Sequence, residues 1–463
     1  MNTDTVLGSA NGNSWARAEP RFEAWLRGVA GERPAIPFSV KLPGGSVATV
    51  GDASPRFEIT IANDRGLRAL ESLDELSIAE AYMDGDLDFK GSMRDVIHIR
   101  EALNDQDVWI TAWRRVQPLL VGSTKSHEQW VQNHYDANNI QLFYVDRAYN
   151  TYTPGVFESE DEPLEVASER KHRLAFEGLG LKAGDRILEV GFGWGSFLRY
   201  AARRGVHVTG LTLSKHQLAH VSENLLAKEG LSADLVYTDF FDYEPTEKFD
   251  AIVMVGVIEE LADFAGVMER IWRWLKPGKR VYIDFMAATK DFLFPSFVTK
   301  YIYQGVTCRV FMPKFIEAVT KSPFELLAVH NDRRNYYLTA KRWYENYEAN
   351  AEAIRAQHGE RTYRMFRMYL AGAAHMLDHP SHLSTAFRVF LELPADHVAL
   401  RGDAGAPAPP SPSKGPVERE LRAAAHKVKS TVEGLSKVVP AMVLGLKSAV
   451  RRAEQRRGEN LTK

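Results

Sequence analysis

Between residues 165 and 290 the chain alternates short apolar segments with stretches of helical periodicity. The apolar segments are RILEV, VHVTGLTL, ADLVYT, DAIVMVG and RVYIDF, and the stretches between them include FLRYAARR and FAGVMERIWRWL. Strands and helices that alternate in this way form a parallel sheet with helices on its faces. The sequence therefore predicts an α/β fold for this part of the chain. Elsewhere it predicts strands around a Gly-Gly turn over residues 36–62, helices over 64–104, and strands at FELLAVH (324–330) and YYLTA (336–340).

A glycine-rich turn follows the first of these strands and precedes a helix. Gly191, Gly193 and Gly195 would let the backbone approach a ligand, and the helix N-terminus offers free N–H groups. The spacing G-x-G-x-G is not the dinucleotide pattern, and the second strand ends in GLTLS without the usual acid. Asp239 and Phe240 end the third strand and could hold an adenine. The pattern favours S-adenosylmethionine over NAD, with a tight turn in an ordinary α/β protein as the alternative.

Further segments resemble those of one enzyme family. HYDANNIQLFYVDRAYNTYTPGVF (134–157), AYMDGDLDFKG (81–91) and VGVIEELADF (255–264) are similar to segments of cyclopropane fatty acid synthases and mycolic acid cyclopropane synthases. In order and spacing the resemblance covers about residues 36–395. It implies a seven-stranded, Rossmann-like core of a SAM-dependent methyltransferase, with an aromatic lipid-facing insertion after the fifth strand. It also implies a small α+β N-terminal domain that handles lipid.

Composition and resemblance together divide the chain. We expect a disordered tail over residues 1–18, the N-terminal lipid-handling domain over 19–125 and the methyltransferase domain over 126–400. A Pro/Ala/Gly linker over 401–416 leads to a basic amphipathic segment, residues 417–463, with eleven Lys/Arg against five acids. Such a segment suits a membrane surface, and a solvated tail is the alternative.

The resemblance also implies which residues contact the cofactor. Carried over residue by residue, the contacts fall on Tyr152, Thr153, Gly191, Gly193, Gly195, Thr212, Leu213, Gln217, Asp239 and Phe240. The family has Tyr-Ser where this chain has Tyr152 and Thr153, so Thr153 keeps the hydroxyl group of the serine.

The family's chemistry, as the resemblance implies it, sets demands on the protein. A cis alkene of a phospholipid acyl chain attacks the sulfonium methyl group, and a carbocation forms in an apolar tunnel. The protein must align the reactants, stabilise positive charge and remove a proton. Aromatic faces stabilise cations, so aromatic residues of the insertion are candidates for this role. Alternatively, at least half of these candidates only pack in the core. The candidates are Phe285, Phe292, Phe294, Phe297, Tyr301 and Tyr303.

The catalytic base departs from the family pattern. The family usually uses a bicarbonate held by a Glu, a His, a Tyr and the backbone around a Cys. Glu259 and Tyr336 match the Glu and the Tyr, but Pro154 stands at the Cys position and Asp284 at the His position. A protein carboxylate could replace bicarbonate, with Asp284 as proton acceptor. Alternatively Asp284 caps the following helix or pairs with an arginine such as Arg333 or Arg334, and the part played by bicarbonate stays open.

Composition limits the partners and the location. The net charge of −2 gives no field that would attract nucleic acid, and the single cysteine excludes an internal disulfide framework. His134 and Asp136 have no third ligand at a useful spacing, so the sequence predicts no metal site. The chain shows no signal pattern and no run of about 18 apolar residues. We expect a cytoplasmic protein, bound peripherally at the inner face of the membrane.

The sequence thus predicts a SAM-dependent C-methyltransferase that acts on the double bonds of unsaturated phospholipid acyl chains. Proton loss from the added methyl group would close a cyclopropane, whereas loss from a neighbouring chain carbon would leave a methyl or methylene branch. The altered base site favours the branch. Two other functions stay open, a methyltransferase of a soluble small molecule and a lipid-binding protein with a decayed active site. The double-bond position, the head group and assembly into a homo-oligomer are open as well.

Overall fold

The computed structural model describes residues 36–42, 44–45, 47–50, 53–103, 105, 139–261, 263–289, 294–303 and 310–396. These residues all belong to one unit of the chain. Several predictions lie outside the described residues: the tail 1–18, the linker 401–416, the basic segment 417–463, the HYD motif and Phe292. The domain boundaries therefore stay predictions.

The strand-like segments before residue 92 form a small four-stranded sheet. Its strands are β1 Phe38–Lys41, β2 Val47–Val50, β3 Phe57–Ile61 and β4 Leu87–Gly91, in the order β2-β1-β3-β4. β1 and β2 are antiparallel and flank the predicted Gly-Gly turn, whereas β1 and β3 run parallel. Phe57, Ile59 and Ile61 are buried and alternate with half-buried residues, as the period of two predicts.

Helices accompany this small sheet. They are α1 Asp64–Ser72, α2 Glu75–Asp84, α3 Met93–Val96 and a 3₁₀-helix Ile97–Ala102. Asn63 and Asp74 begin the first two helices, because their side chains accept hydrogen bonds from backbone N–H groups of the first turn. The helical prediction for residues 64–104 is confirmed over these ranges.

The five apolar segments of the core form five parallel strands. They are β5 Arg186–Val190, β6 His207–Thr212, β7 Asp234–Tyr237, β8 Phe249–Val255 and β9 Leu275–Ala288. Two antiparallel strands, β11 Glu325–Asn331 and β12 Ser384–Leu393, extend the sheet to the order β11-β12-β9-β8-β5-β6-β7. A short strand β10, Val310–Phe311, pairs with β9. The predicted seven-stranded core is confirmed, and β12 is a strand that the sequence pattern did not reveal.

Apolar residues cover both faces of this sheet. Ile252 and Met254 of β8 belong to one hydrophobic cluster, and Ala251 and Val253 belong to another. Since successive side chains of a strand point to opposite faces, the sheet carries a core on each side. The helices that follow the small domain are α4 Leu164–Gly178, α5 Ser196–Ala202, α6 Lys215–Ala219, α7 Ala227–Glu229, α8 Phe264–Trp274, α9 Met312–Thr320, α10 Arg333–Ala349 and α11 Ala351–Asp378.

The strand predicted at YYLTA is wrong. Residues 336–340 lie inside α10, whose buried residues include Leu338, Trp343 and Tyr347. Aromatic and β-branched residues favour strands locally, but burial of one helix face decides the structure here. Within the described residues, no helix combines the length and the apolar character that crossing a bilayer would require.

The order of the strands positions the site. β6 and β7 lie on one side of β5, and β8 and β9 lie on the other. In parallel sheets ligands bind at the carboxyl ends of the strands where the order reverses in this way. The glycine turn follows β5 and therefore stands at that point.

Candidate functional site

A cavity opens at the carboxyl ends of β5 to β8 and encloses about 1060 Å³ of space, part of it open to solvent. Nine of the ten predicted cofactor residues line it: Tyr152, Thr153, Gly191, Gly193, Thr212, Leu213, Gln217, Asp239 and Phe240. We call it the cofactor cavity. Its lining also contains Glu189, Trp194 and Glu260, which the sequence analysis did not identify.

Two glycines of the turn have different surroundings. Gly193 has a φ of +53°, and a Cβ added there would meet nothing within 4 Å. Gly195 has a φ of +82°, and its added Cβ would lie 3.1 Å from Val221 and 3.2 Å from Leu225. Gly193 therefore faces open space in the cavity. Gly195 does not line the cavity, and its missing side chain lets the π-helix His220–Leu226 pack closely against the turn.

Residues 212–217, with the sequence TLSKHQ, form a capped turn after β6. Ser214 Oγ accepts a hydrogen bond from the backbone N–H of Gln217, at 3.1 Å, and so begins α6. Thr212 Oγ1 accepts from the N–H of Ser214 at 3.1 Å and donates to Gln217 Oε1 at 3.2 Å. These bonds hold Leu213 and Gln217 at the cavity.

A buried carboxylate folds the loop that carries Tyr152 and Thr153. Asp146 accepts hydrogen bonds from the N–H groups of Tyr149, at 2.6 Å, and Thr151, at 2.8 Å. Burial raises the pKa of Asp146. The sequence analysis missed this residue because an aspartate in a loop of this composition has no pattern that marks it as buried.

Lys171 of α4 joins this loop to β9. Its Nζ lies 2.7 Å from Asp284 Oδ2 and donates to Thr153 Oγ1. The Tyr282 hydroxyl donates to the same Asp284 oxygen at 3.1 Å. Asp284 therefore pairs with a lysine, and not with an arginine or a helix N-terminus. A signal for Lys171 was present in the sequence, because it stands on the buried stripe of α4, four residues before Ala175.

Glu259 contacts the strand that carries Asp284. Its Oε1 accepts from the N–H of Met286 at 2.7 Å. The pairing of β8 with β9 ends at Val255 and Asp284. The N–H of Met286 lies beyond this last pair, so it bonds the Glu259 side chain and not the backbone of β8. Glu259 Oε2 is buried and has no hydrogen-bond partner among the described residues. Burial, with the charges of Asp284 and Glu260 as smaller contributions, raises the pKa of Glu259 to about 8.

Two more glutamates line the cofactor cavity itself. Burial raises the pKa of Glu189 to about 8 and that of Glu260 to about 7. Glu189 Oε2 is buried and unpartnered within the described part of the chain. Carboxylates placed in this way fit a positively charged ligand with donor groups, and the open space at Gly193 leaves room for it. S-adenosylmethionine has both properties.

A second cavity, about 1150 Å³ including space open to solvent, is almost wholly apolar. The small N-terminal sheet and its helices contribute Ile59, Ile78 and Phe89, and the segment 294–303 and α11 contribute most of the rest. We call it the apolar cavity. Of the predicted aromatic residues, Phe294, Phe297 and Tyr303 line it.

The other two described aromatic candidates lie elsewhere. Phe285 packs in the core of the sheet, where its ring lies 4.9 Å from that of Phe315. The Tyr301 hydroxyl donates to Glu80 at 2.7 Å. Neither residue lines the apolar cavity, so the core alternative applies to Phe285.

Tyrosine side chains connect the two cavities. Tyr152 lines the cofactor cavity, and its side chain interacts with that of Tyr369, which lines the apolar cavity. The Tyr369 and Tyr303 hydroxyls lie 3.0 Å apart.

Tyr336, the third predicted catalytic residue, lines the apolar cavity together with Met286. Glu259 and Asp284 line neither cavity. Glu259 accepts from the N–H of Met286, and Asp284 precedes Met286 by two residues on β9.

The comparisons with known proteins agree with this geometry. The family model described as mycolic acid cyclopropane synthetase matches residues 122–382, and a domain of unknown function matches 29–110. The chain is 28% identical over 313 residues to sphingolipid C9-methyltransferase B of Emericella nidulans, covering 64% of this chain. That match covers 61% of the fungal enzyme, less than two thirds of its length. A probable fatty acid methyltransferase of Mycobacterium tuberculosis is 28% identical over 370 residues, covering 70% of this chain and 85% of that protein.

A solved structure resembles the core. It is a mycolic acid cyclopropane synthase complexed with SAH and CTAB, 25% identical, with a TM-score of 0.52. The likeness covers 58% of this chain and 99% of that one. The family match extends over more than half of the 463 residues. The chain therefore belongs to the mycolic acid cyclopropane synthetase family and has the fold of SAM-dependent methyltransferases.

Proposed function

We propose that the protein transfers a methyl group to a double-bond carbon in the acyl chain of a membrane phospholipid. One observation carries this proposal: an apolar cavity lies beside the cofactor cavity, and Tyr152 of the cofactor cavity interacts with Tyr369 of the apolar one. An acyl chain needs an apolar enclosure of this kind. The names of the relatives, a sphingolipid C9-methyltransferase and a probable fatty acid methyltransferase, support a long-chain substrate.

The cavity must protect a carbocation. S-adenosylmethionine supplies a methyl group on a positively charged sulfur, and the alkene carbon takes it up, so the positive charge passes to the acyl chain. Phe294 and Tyr303 present aromatic rings in the apolar cavity, and ring faces attract cations. Their hydrocarbon surroundings also exclude water, which would otherwise capture the cation.

Asp284 is the proton acceptor in this proposal. Its Oδ2 pairs with Lys171, and its Oδ1 has no hydrogen-bond partner among the described residues. Asp284 and Met286 lie on the same face of β9, because residues two apart in a strand point the same way. Met286 lines the apolar cavity. A bicarbonate would add a negative charge close to the Asp284 carboxylate, so we propose that turnover does not depend on it.

The position of the acceptor decides the product. Loss of a proton from the added methyl group closes a cyclopropane, and loss from a neighbouring chain carbon leaves a methyl or methylene branch. The carboxylate of Asp284 is fixed on β9. It would therefore take the proton from a different position than a bicarbonate ion held by a His and a Cys would. We propose the branched product, which also suits relatives named as methyltransferases.

The proposal is tested with the purified full chain, S-adenosylmethionine and vesicles of a cis-monounsaturated phospholipid. Mass spectrometry of the released acyl chains should show the addition of one CH₂ unit. The matched control is Gly193→Asp, which should form no product. A wild-type enzyme that leaves acyl chains unchanged while methylating a soluble compound would favour a small-molecule methyltransferase instead.

Association with the inner face of the membrane is part of the same proposal. The basic segment 417–463, with eleven Lys/Arg against five acids, supports it, although the segment lies outside the described residues. Each basic residue near an anionic surface contributes about 1 kcal/mol, screened by salt. Removing residues 417–463 should weaken binding to anionic vesicles, most clearly at low salt. Equal vesicle binding by the full and truncated chains would contradict a membrane-binding role of residues 417–463.

A further inference from the structure

Three side chains with metal-binding atoms meet where the N-terminal region contacts α11. His98 and Glu101 belong to the 3₁₀-helix Ile97–Ala102, and His375 lies in the last turn of α11. One ligand atom from each lies within 4.8 Å of the other two. None of the three lines the cofactor cavity or the apolar cavity, so the mechanism proposed above does not use them.

The local helix geometry brings these groups together. A 3₁₀-helix has three residues per turn, so side chains three apart, such as His98 and Glu101, point in the same direction. The ring of His375 packs edge-on against that of His98, with 4.7 Å between centroids. Glu101 Oε1 lies 3.7 Å from His375 Nε2.

A fourth residue orients the carboxylate. His379 follows α11, and its Nε2 lies 3.3 Å from Glu101 Oε1. Its other nitrogen, Nδ1, accepts a hydrogen bond from the backbone N–H of Ser381 at 3.1 Å. The proton of the neutral ring therefore sits on Nε2, where it can be donated to Glu101. Hydrogen bonds of this kind fix ligating carboxylates in metal sites.

We propose that His98, Glu101 and His375 bind a zinc ion. Two imidazoles and one carboxylate are ligands that zinc accepts in sites with three protein ligands, where water takes the fourth position. The side chains of His375 and Glu101 are 10% and 35% exposed, which leaves room for an ion to enter and for that water. The ion needs only shifts of these side chains, because their ligand atoms already face one another.

Zinc at this position would hold two walls of the apolar cavity together. Ile97 and Arg100, next to the ligands on the 3₁₀-helix, line that cavity, and so do Gly372 and Met376 of α11. The two elements touch, since a Cβ added at Gly372 would lie 3.8 Å from Ile97 Cδ1. The ion would therefore stabilise the enclosure without touching the reacting atoms. The inference does not rest on the proposed function, because zinc binding is measured without substrate.

The test uses the full chain, stripped of metal with a chelator and titrated with zinc by calorimetry. We expect one zinc ion per chain and a higher melting temperature for the zinc-loaded protein. His98→Ala, His375→Ala and Glu101→Gln should each weaken binding by about tenfold or more. The matched control is His207→Gln, an exposed histidine at the start of β6, which should bind as the wild type does.

X-ray absorption of the zinc-loaded wild type identifies the ligands without any variant, so a misfolded variant does not decide the outcome. Scattering from two imidazole rings, with oxygen in the remaining positions, is expected. Sulfur ligation, fewer than two imidazoles, or unchanged zinc affinity in folded His98→Ala and His375→Ala would overturn the proposal.

Discussion

Lys171 and Asp284 form an ion pair with 2.7 Å between Nζ and Oδ2, and their side chains are only 1% and 2% exposed. Removing one partner of a buried pair leaves an uncompensated charge, which typically costs about 3–5 kcal/mol. Asp284→Asn alone should therefore lower the free energy of unfolding by that order, as urea denaturation can measure. A loss of activity in that variant would not distinguish catalysis from folding.

The double variant Lys171→Met with Asp284→Asn separates the two effects. Both charges are removed together, so stability should return close to that of the wild type. Turnover should still fall by roughly 10²–10⁴-fold, the usual effect of losing a positioned base. Lys171→Met alone, which keeps the carboxylate, completes the comparison. A stable double variant that turns over normally and stops when dissolved bicarbonate is removed would assign the base to that anion.

Gly193→Asp should abolish S-adenosylmethionine binding and leave the fold intact. The φ of +53° is one that aspartate tolerates better than most residues, and an added Cβ meets nothing within 4 Å. The carboxylate would occupy cofactor space and add negative charge beside Glu189 and Glu260. Calorimetry with S-adenosylmethionine tests the loss of binding, and a thermal melt tests whether the fold is intact. Unchanged affinity would place the cofactor elsewhere.

Glu189 makes stability depend on pH. Burial raises its pKa to about 8 from the ordinary 4.5, so the folded state binds more protons than the unfolded state between these values. The free energy of unfolding should therefore fall as pH rises through this window, by up to about 1.4 kcal/mol per pH unit for this group. Glu189→Gln removes the titration and should flatten the slope in the ligand-free protein. Urea denaturation at pH 5.5, 6.5 and 7.5 compares the variants, and parallel slopes would contradict the assignment.

Gly372→Leu should shorten the acyl chains that the enzyme accepts. Gly372 lines the apolar cavity and has only Ile97 near its missing side chain, so leucine would extend into open space. Leucine also favours the helix over glycine by roughly 1 kcal/mol, so stability should not suffer. Competition between phospholipids of different chain lengths is the measurement. The control is Ala353→Leu, an exposed position of α11 before its kink at Gly359. Matching length profiles would contradict the lipid role of this cavity.

Local patterns revealed much of the fold and part of the site. Alternating apolar segments predicted the five parallel strands, and the family resemblance implied nine of the residues that line the cofactor cavity. Gly195 belongs to the glycine turn but does not line the cavity, because its lack of a side chain serves helix packing. Lys171 could have been identified from its place on the buried stripe of α4, whereas its partner Asp284 lies more than a hundred residues away and only the fold brings them together.

Residues far apart in the chain account for the rest. YYLTA was assigned to a strand because local propensity says nothing about the helix face that α10 buries. The proposed zinc site departs from the sequence prediction of no metal, since His98 and His375 come from different parts of the chain. The link between Tyr152 and Tyr369 likewise depends on how α11 packs, which no short segment encodes.

Transfer of a labelled methyl group into an acyl chain tests the central claim most directly. The purified full chain would be incubated with S-adenosylmethionine carrying a carbon-13 methyl group and with vesicles of a cis-monounsaturated phospholipid. Carbon-13 NMR of the extracted lipid should place the label in a methyl or methylene branch on a carbon of the former double bond. Lipid that stays unlabelled, or that is labelled only in the head group, would contradict the account.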